Sequence, residues 1–271
     1  ASGSRSTAMG YDTTASGINS TAIGHFTTAS GDYSTAIGEN TTASGETSTA
    51  MGYQSTASGI ASTAMGKSTA SGTYSTAMGY DTVASGVGST AMGRSTASDF
   101  ASTVIGQYNS SGSSATSASE FSISAPAFVI GNGTASNAKS DAFKVMFDGT
   151  TTIAGDLNIN SDARLKLNIT SLGGTLAKIL QIDGKSYTMK KDQSEKQKIG
   201  VLAQDIQKVF PELVSESQGI KSVNYQGLVP VLINALKEQD AKMKEQETKF
   251  EKQQAEIDEL KEMVQSLVSK E

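Results

Sequence analysis

Ser161 and Lys166 stand close together in the run S-D-A-R-L-K-L-N-I, which ends at Ile169. A serine hydroxyl beside a lysine amine can do acyl chemistry only if the lysine sheds its proton, which requires a desolvated or otherwise perturbed site. No other nearby side chain could serve as the base. The one histidine, His25, lies far away in the N-terminal half, which excludes a Ser/His/Asp arrangement. The chain has no cysteine, so disulfides and thiolate metal sites are excluded as well. Taken by themselves, the two residues read more readily as a turn-capping serine and a solvated lysine. No metal-ligating cluster is visible, and the glycines are spaced for bends, without the helix-opening context of a phosphate loop; neither metal nor cofactor is expected.

The elements that would have to position such a pair are of two kinds. Gly, Ser, Thr and Ala crowd the first half of the 271 residues, and aromatics make up only 6% of the chain, with no Trp. Such a half buries little apolar area per residue, so backbone hydrogen bonding, repetition or association must hold it together. The net charge is -5 and most Lys and Glu follow Arg164, which leaves no basic face for nucleic acid. No apolar run reaches the length of a membrane helix and the first residues show no signal peptide, so membrane insertion is not expected.

The phrase S-T-A-M/I-G recurs with glycines at Gly10, Gly24, Gly38, Gly52, Gly66, Gly79 and Gly93, and a weaker copy ends at Gly106. The step is fourteen residues, or thirteen where one is missing. A second phrase, T-A-S-G or V-A-S-G, places Gly17, Gly31, Gly45, Gly59, Gly72 and Gly86 between them. Each half-unit suits a short strand and a Gly-assisted bend, so each unit reads as one coil of a two-sided β-solenoid stacked at about 4.8 Å. Strand alternation forbids the Ala column (Ala8, Ala22, Ala36, Ala50, Ala64, Ala77, Ala91) and the Met/Ile column (Met9, Ile23, Ile37, Met51, Met65, Met78, Met92) from both facing inward. If Ala fills the interior, a Met/Ile stripe is left for another chain to cover; the reverse parity remains open.

Across residues 4–106 these phrases resemble the head repeats of YadA-type trimeric adhesins, a resemblance that implies a parallel β-roll in a homotrimer and exposure at a surface. Autotransport is not expected, because the membrane-anchor strands that end such adhesins are not seen. A Ser-rich run from Ser110 to Ser119 reads as a joint. After it, A-F-V-I-G-N-G and the segment Ala142–Ile159 read as short strands with Asn-Gly and Asp-Gly turns, fitting a β-stalk. In that stretch Phe128, Ile130, Phe143, Val145, Phe147, Ile153, Leu157 and Ile159 keep a period of two.

From Ser161 the character changes. Ser161–Ile169, G-V-L-A-Q-D-I-Q-K-V-F-P-E-L-V (200–214) and V-N-Y-Q-G-L-V-P-V-L-I-N-A-L-K-E-Q (223–239), in this order, resemble the S74 peptidase family, the intramolecular chaperone of endosialidase and other phage tailspikes. The resemblance implies that the domain trimerises, templates the fibre ahead of it and is released by cleavage. Carried over, it makes Ser161 the nucleophile, Lys166 its partner base and Asn160–Ser161 the scissile bond, cut once in cis. Asp162, Arg164, Gln204 and Tyr225 also match, and are expected to orient the pair or hold the trimer. Val201, Leu202, Ile206, Val209 and Phe210 read as an apolar helical face stopped by Pro211.

Leu228 to about Ser269 reads as a single helix. Its heptad a positions are Leu236, Met243, Phe250, Ile257 and Val264, and its d positions Gln239, Gln246, Gln253, Leu260 and Leu267, a weakened seam that agrees with a trimer. A solvated helix folded back on the domain is the alternative. The expected fold is mainly β: a β-roll at 1–109, a connector at 110–160, a small α+β chaperone domain at 161–237 and a coiled-coil helix at 238–271. The expected function is a homotrimeric fibre or tail-spike protein of a virion that attaches to a host-cell receptor and carries its own chaperone. The alternative is a bacterial cell-surface adhesin whose chaperone stays on as a trimer clamp.

Overall fold

The computed structural model describes residues 1–190 and 195–268, and the chain divides into two compact units, Ala1–Asn160 and Ser161–Glu271. In the first, five-residue rungs such as Thr7–Tyr11, Thr21–His25, Thr35–Glu39 and Thr49–Tyr53 pair in parallel with like residues opposite one another, Ala8 with Ala22 and Ile23 with Ile37. Two-residue rungs, Thr14–Ala15, Thr28–Ala29, Thr42–Ala43 and Thr56–Ala57, pair in the same way. This is the two-sided parallel roll that the period predicts.

Its interior settles the parity. Ala22, Ala36, Ala50, Ala64, Ala77 and Ala91 and the short-rung alanines from Ala15 to Ala97 are 0% exposed and form one continuous core. The Met/Ile column lies on the outer side, with Met9 and Ile37 exposed and Ile23, Met51, Met65, Met78 and Met92 half-buried. An Ala interior fixes how closely the two sides approach, because close packing leaves no space for an added methylene.

The bends differ from the glycine-assisted ones predicted. Most corners are made by other residues in left-handed backbone: Asn19, Tyr33, Thr47, Ala61 and Tyr74 at one, Asp12, Phe26, Asn40, Gln54 and Asp81 at the other. The glycines serve close approach, and those of the long rungs, such as Gly24 and Gly38, also take a positive φ of 132° and 130°. A Cβ on Gly31 would fall 2.1 Å from the Gly45 carbonyl oxygen, and one on Gly38 1.9 Å from that of Gly52. Glycine spacing alone does not separate these two uses.

The thirteen-residue coils omit one corner residue. After Gly66 the two rungs fuse into one strand, Thr63–Ala70, and the Ser68 hydroxyl donates to the Met65 and Ala77 carbonyls at 3.1 and 3.0 Å. Ser95 repeats the arrangement after Gly93, donating to Met92 and Val104.

Asp99 replaces the ladder glycine in the last T-A-S unit. Fully buried, it accepts from the Thr116 and Ser117 N–H groups at 2.5 and 2.8 Å. The Ser-rich segment then supplies what a next coil would: its Gly112, Ser117 and Ala118 carbonyls accept from Ser98, Phe100 and Val87. Pro126–Asn132 pairs in parallel with Thr103–Gln107, so Phe128 and Ile130 belong to the last rung of the roll. Asp141–Met146 and Thr151–Ile153 continue the sheet antiparallel, through a turn at Asp148-Gly149, where Gly149 has φ 86°.

Among its described residues the second unit packs three α-helices, α1 (Thr175–Ile179), α2 (Ala203–Val209) and α3 (Leu228–Val268), with two small antiparallel pairs, Lys185–Tyr187 with Lys198–Gly200 and Val214–Ser217 with Ile220–Val223. Ile206, Phe210 and Val231 form its core, with Ile179, Val201, Val209 and Leu213 against them. Leu202, expected on the apolar face of α2, precedes the helix and is exposed. The core pins only the start of α3. Ser269 lies outside the described residues, as does the side chain of Leu267.

Candidate active site

The unit boundary falls at the Asn160–Ser161 peptide. Immediately after it, Asp162 caps a single 3-10 turn, Ala163–Leu165, its carboxylate accepting the Arg164 N–H at 2.9 Å. The Arg164 guanidinium folds back onto the same carboxylate, with Nε at 3.1 Å from both oxygens and Nη2 at 2.6 Å. That fork holds the Asp162 carboxyl below its ordinary range, the Arg164 side chain being the largest cause and its N–H the next. The turn's cap is therefore Asp162, which leaves the Ser161 hydroxyl uncommitted to capping.

One turn brings Lys166, back in extended backbone, to Ser161. Lys166 Nζ donates to Ser161 Oγ at 2.7 Å. The distance suits a nucleophile and its base. Both residues are exposed in the single chain. The neighbouring apolar side chains are bare too, Leu165 at 70%, Leu167 at 91% and Ile169 at 66% exposed.

Gln204 and Tyr225 are placed elsewhere in the unit. They line a shallow cavity of about 350 Å³ with Tyr187, Leu202 and Lys221, where Tyr225 Oη accepts from the Val201 N–H at 3.2 Å. Among the described residues, no hydrogen bond joins Asp162, Arg164, Gln204 or Tyr225 to Ser161 or Lys166. Asp162 and Arg164 shape the turn; Tyr225 supports the start of α2.

Glu238 escapes the sequence reading. From α3 its carboxylate accepts the Thr175 N–H at 2.8 Å, the Thr175 hydroxyl at 2.9 Å and the Leu176 N–H at 3.0 Å, tying α3 to the start of α1. The Thr175 and Leu176 N–H groups, in that order, lower its pKa. One glutamate among many on a polar helix gives no signal in the sequence. Beyond it, Leu236, Met243, Phe250, Ile257 and Val264 form an exposed apolar line, joined by Leu260.

Comparison with known proteins gives two family matches. Residues 161–215 match the Peptidase_S74 model, chaperone of endosialidase. Five overlapping segments, 1–27, 15–41, 29–55, 43–69 and 70–99, match the YadA head domain repeat. The chain is also 31% identical over 117 residues to the long tail fiber protein Gp37 of Enterobacteria phage M1, covering 37% of this chain and 46% of that protein. The Gp37 of Enterobacteria phage Ox2 matches with the same identity and coverage. The matched region thus spans less than half the length of these curated relatives. A segment of the S74 chaperone type stands behind a roll of YadA-head repeats.

Proposed function

We propose that this chain is one of three identical strands of an attachment fibre on a particle such as a virion, and that its C-terminal unit gathers the three in register and then cuts itself free between Asn160 and Ser161. The observation that carries the reading is the apolar surface a single chain leaves bare. It runs as Leu165, Leu167 and Ile169 beside the Ser161–Lys166 pair and as the line from Leu236 to Val264 on α3. Contiguous bare apolar surface of this kind is covered by another chain, and the likeness to trimeric adhesin heads and to an S74 chaperone makes the cover two further copies.

The chemistry follows from that cover. Lys166, desolvated, gives up its proton and accepts that of Ser161 Oγ. The oxygen attacks the Asn160 carbonyl carbon, the C–N bond breaks, and the freed α-amine of Ser161 takes up the proton. The resulting ester is hydrolysed by water, leaving a carboxylate on Asn160 and restoring the hydroxyl of Ser161. Cleavage then follows assembly and turns over once. Intact-mass spectrometry of the purified protein tests this: a product starting at Ser161 is expected, lost on Ser161→Ala and on Lys166→Ala. An uncut chain with an unchanged trimer would instead favour a bacterial surface adhesin with a permanent clamp, a second reading supported by the five YadA-head matches.

A further inference from the structure

Where the roll's second short coil lacks a corner residue, a notch opens between the corners before and after it. Asp81 (φ 52°) and Tyr108 (φ 45°) are those neighbouring corners. The notch is a cavity of about 350 Å³ lined by Asp81, Arg94, Thr96, Tyr108, Ser136 and Lys139, with Asn109 at its base. It is preformed. The buried Asn109 amide bonds both backbone groups of Thr96 at 2.8 Å, and the loop carrying Ser136 and Lys139 is fastened by Ser140 N–H to the Tyr108 carbonyl at 3.0 Å.

Its electrostatics are cationic on an acidic chain. Asp81 is held between Lys67 and Arg94, each at 3.0 Å, and its carboxyl lies below its ordinary range, the Lys67 hydrogen bond being the largest cause. Arg94 sits over the Tyr80 and Tyr108 rings at 5.0 and 4.9 Å, which fixes its guanidinium at the notch. Asp141, the nearest further acid in sequence, gives its carboxylate to the Ser110 and Ser111 N–H groups. Among the described residues Lys139 has no ion-pair partner and the Thr96 and Ser136 hydroxyls no hydrogen bond.

We infer that the notch binds an acidic saccharide, with Arg94 and Lys139 taking the carboxylate or phosphate and Thr96 and Ser136 the ring hydroxyls. Arg94 already covers one face of the Tyr108 ring at the notch. The volume admits about one sugar ring, and the polar lining suits a polyol rather than an apolar ligand. The site stands whether or not the chain cleaves itself.

Calorimetry on the full-length protein tests it with an oligogalacturonate, a galactose phosphate, a neutral galactan of equal length and inorganic phosphate. At least one acidic saccharide is expected to bind, more weakly as salt rises, and Lys139→Ala to weaken it about tenfold. The thermal midpoint of Lys139→Ala is expected to stay unchanged, since no partner is lost. No binding to either acidic probe at millimolar concentration, equal binding of the neutral galactan, an unaffected Lys139→Ala protein, or phosphate binding as tightly as the saccharides would each overturn the assignment.

Discussion

Ser161 and Lys166 touch while both stand exposed in the single chain, so the proposed chemistry hinges on what covers the pair. Lys166→Arg keeps the charge and the donor but removes the removable proton, since arginine stays protonated. Time courses of the Ser161 product are expected to climb for the parent chain and stay flat at zero for Lys166→Arg; appreciable cutting by the arginine variant would exclude lysine as the base. Glu238 makes a separate claim about pH. Its folded pKa is depressed below an ordinary value of 4.5, so its contribution is complete above that value and lost as pH falls through the lowered folded value. Glu238→Gln is expected to melt lower than the parent at neutral pH, with the gap closing in acid. A gap that persists in acid would mean the carboxylate's charge is not what fastens α3 to α1. The sequence shows the spacing of the Ser161–Lys166 pair but not that Asp162, rather than Ser161, caps the turn, because that depends on which side chain reaches the Arg164 N–H.

Among the elements, the roll depends on backbone contact. Gly31→Ala is expected to cost at least about 2 kcal/mol, because its Cβ would fall 2.1 Å from the Gly45 carbonyl oxygen at ordinary backbone angles. Gly155→Ala meets nothing within 4 Å and serves as the neutral control. Thermal melts followed by circular dichroism separate them; equal midpoints would show that the rungs have more room than the Gly31 contact implies. The fourteen-residue period, the opposition of the Ala and Met/Ile columns and the long helix from Leu228 were legible because each is a repeating constraint on side chains; which column faces inward was not, and the buried alanines decide it. The corners were not, since residues as different as Asn19, Tyr33 and Ala61 all adopt left-handed backbone there. Nor was the closing of the roll by the Ser-rich segment, which depends on Asp99 standing in one place where the pattern has glycine.

At the scale of the molecule, an interior of alanine and hydroxyl side chains gives one chain little hydrophobic stabilisation, while its apolar lines stand exposed. Phe250 is 67% exposed at the middle of the α3 line. In the proposed assembly three thin rolls must find one register before any of them gains from the others, a step at which exposed surface aggregates. Expression of residues 1–160 alone is accordingly expected to give insoluble or unassembled material, and a soluble trimer from that truncation would remove the need for a chaperone. The most direct test is the native mass of the Ser161→Ala protein, in which no fragment can be lost to cleavage, by light scattering at micromolar concentration. Three chain masses are expected; a well-folded species of one chain mass would contradict the account.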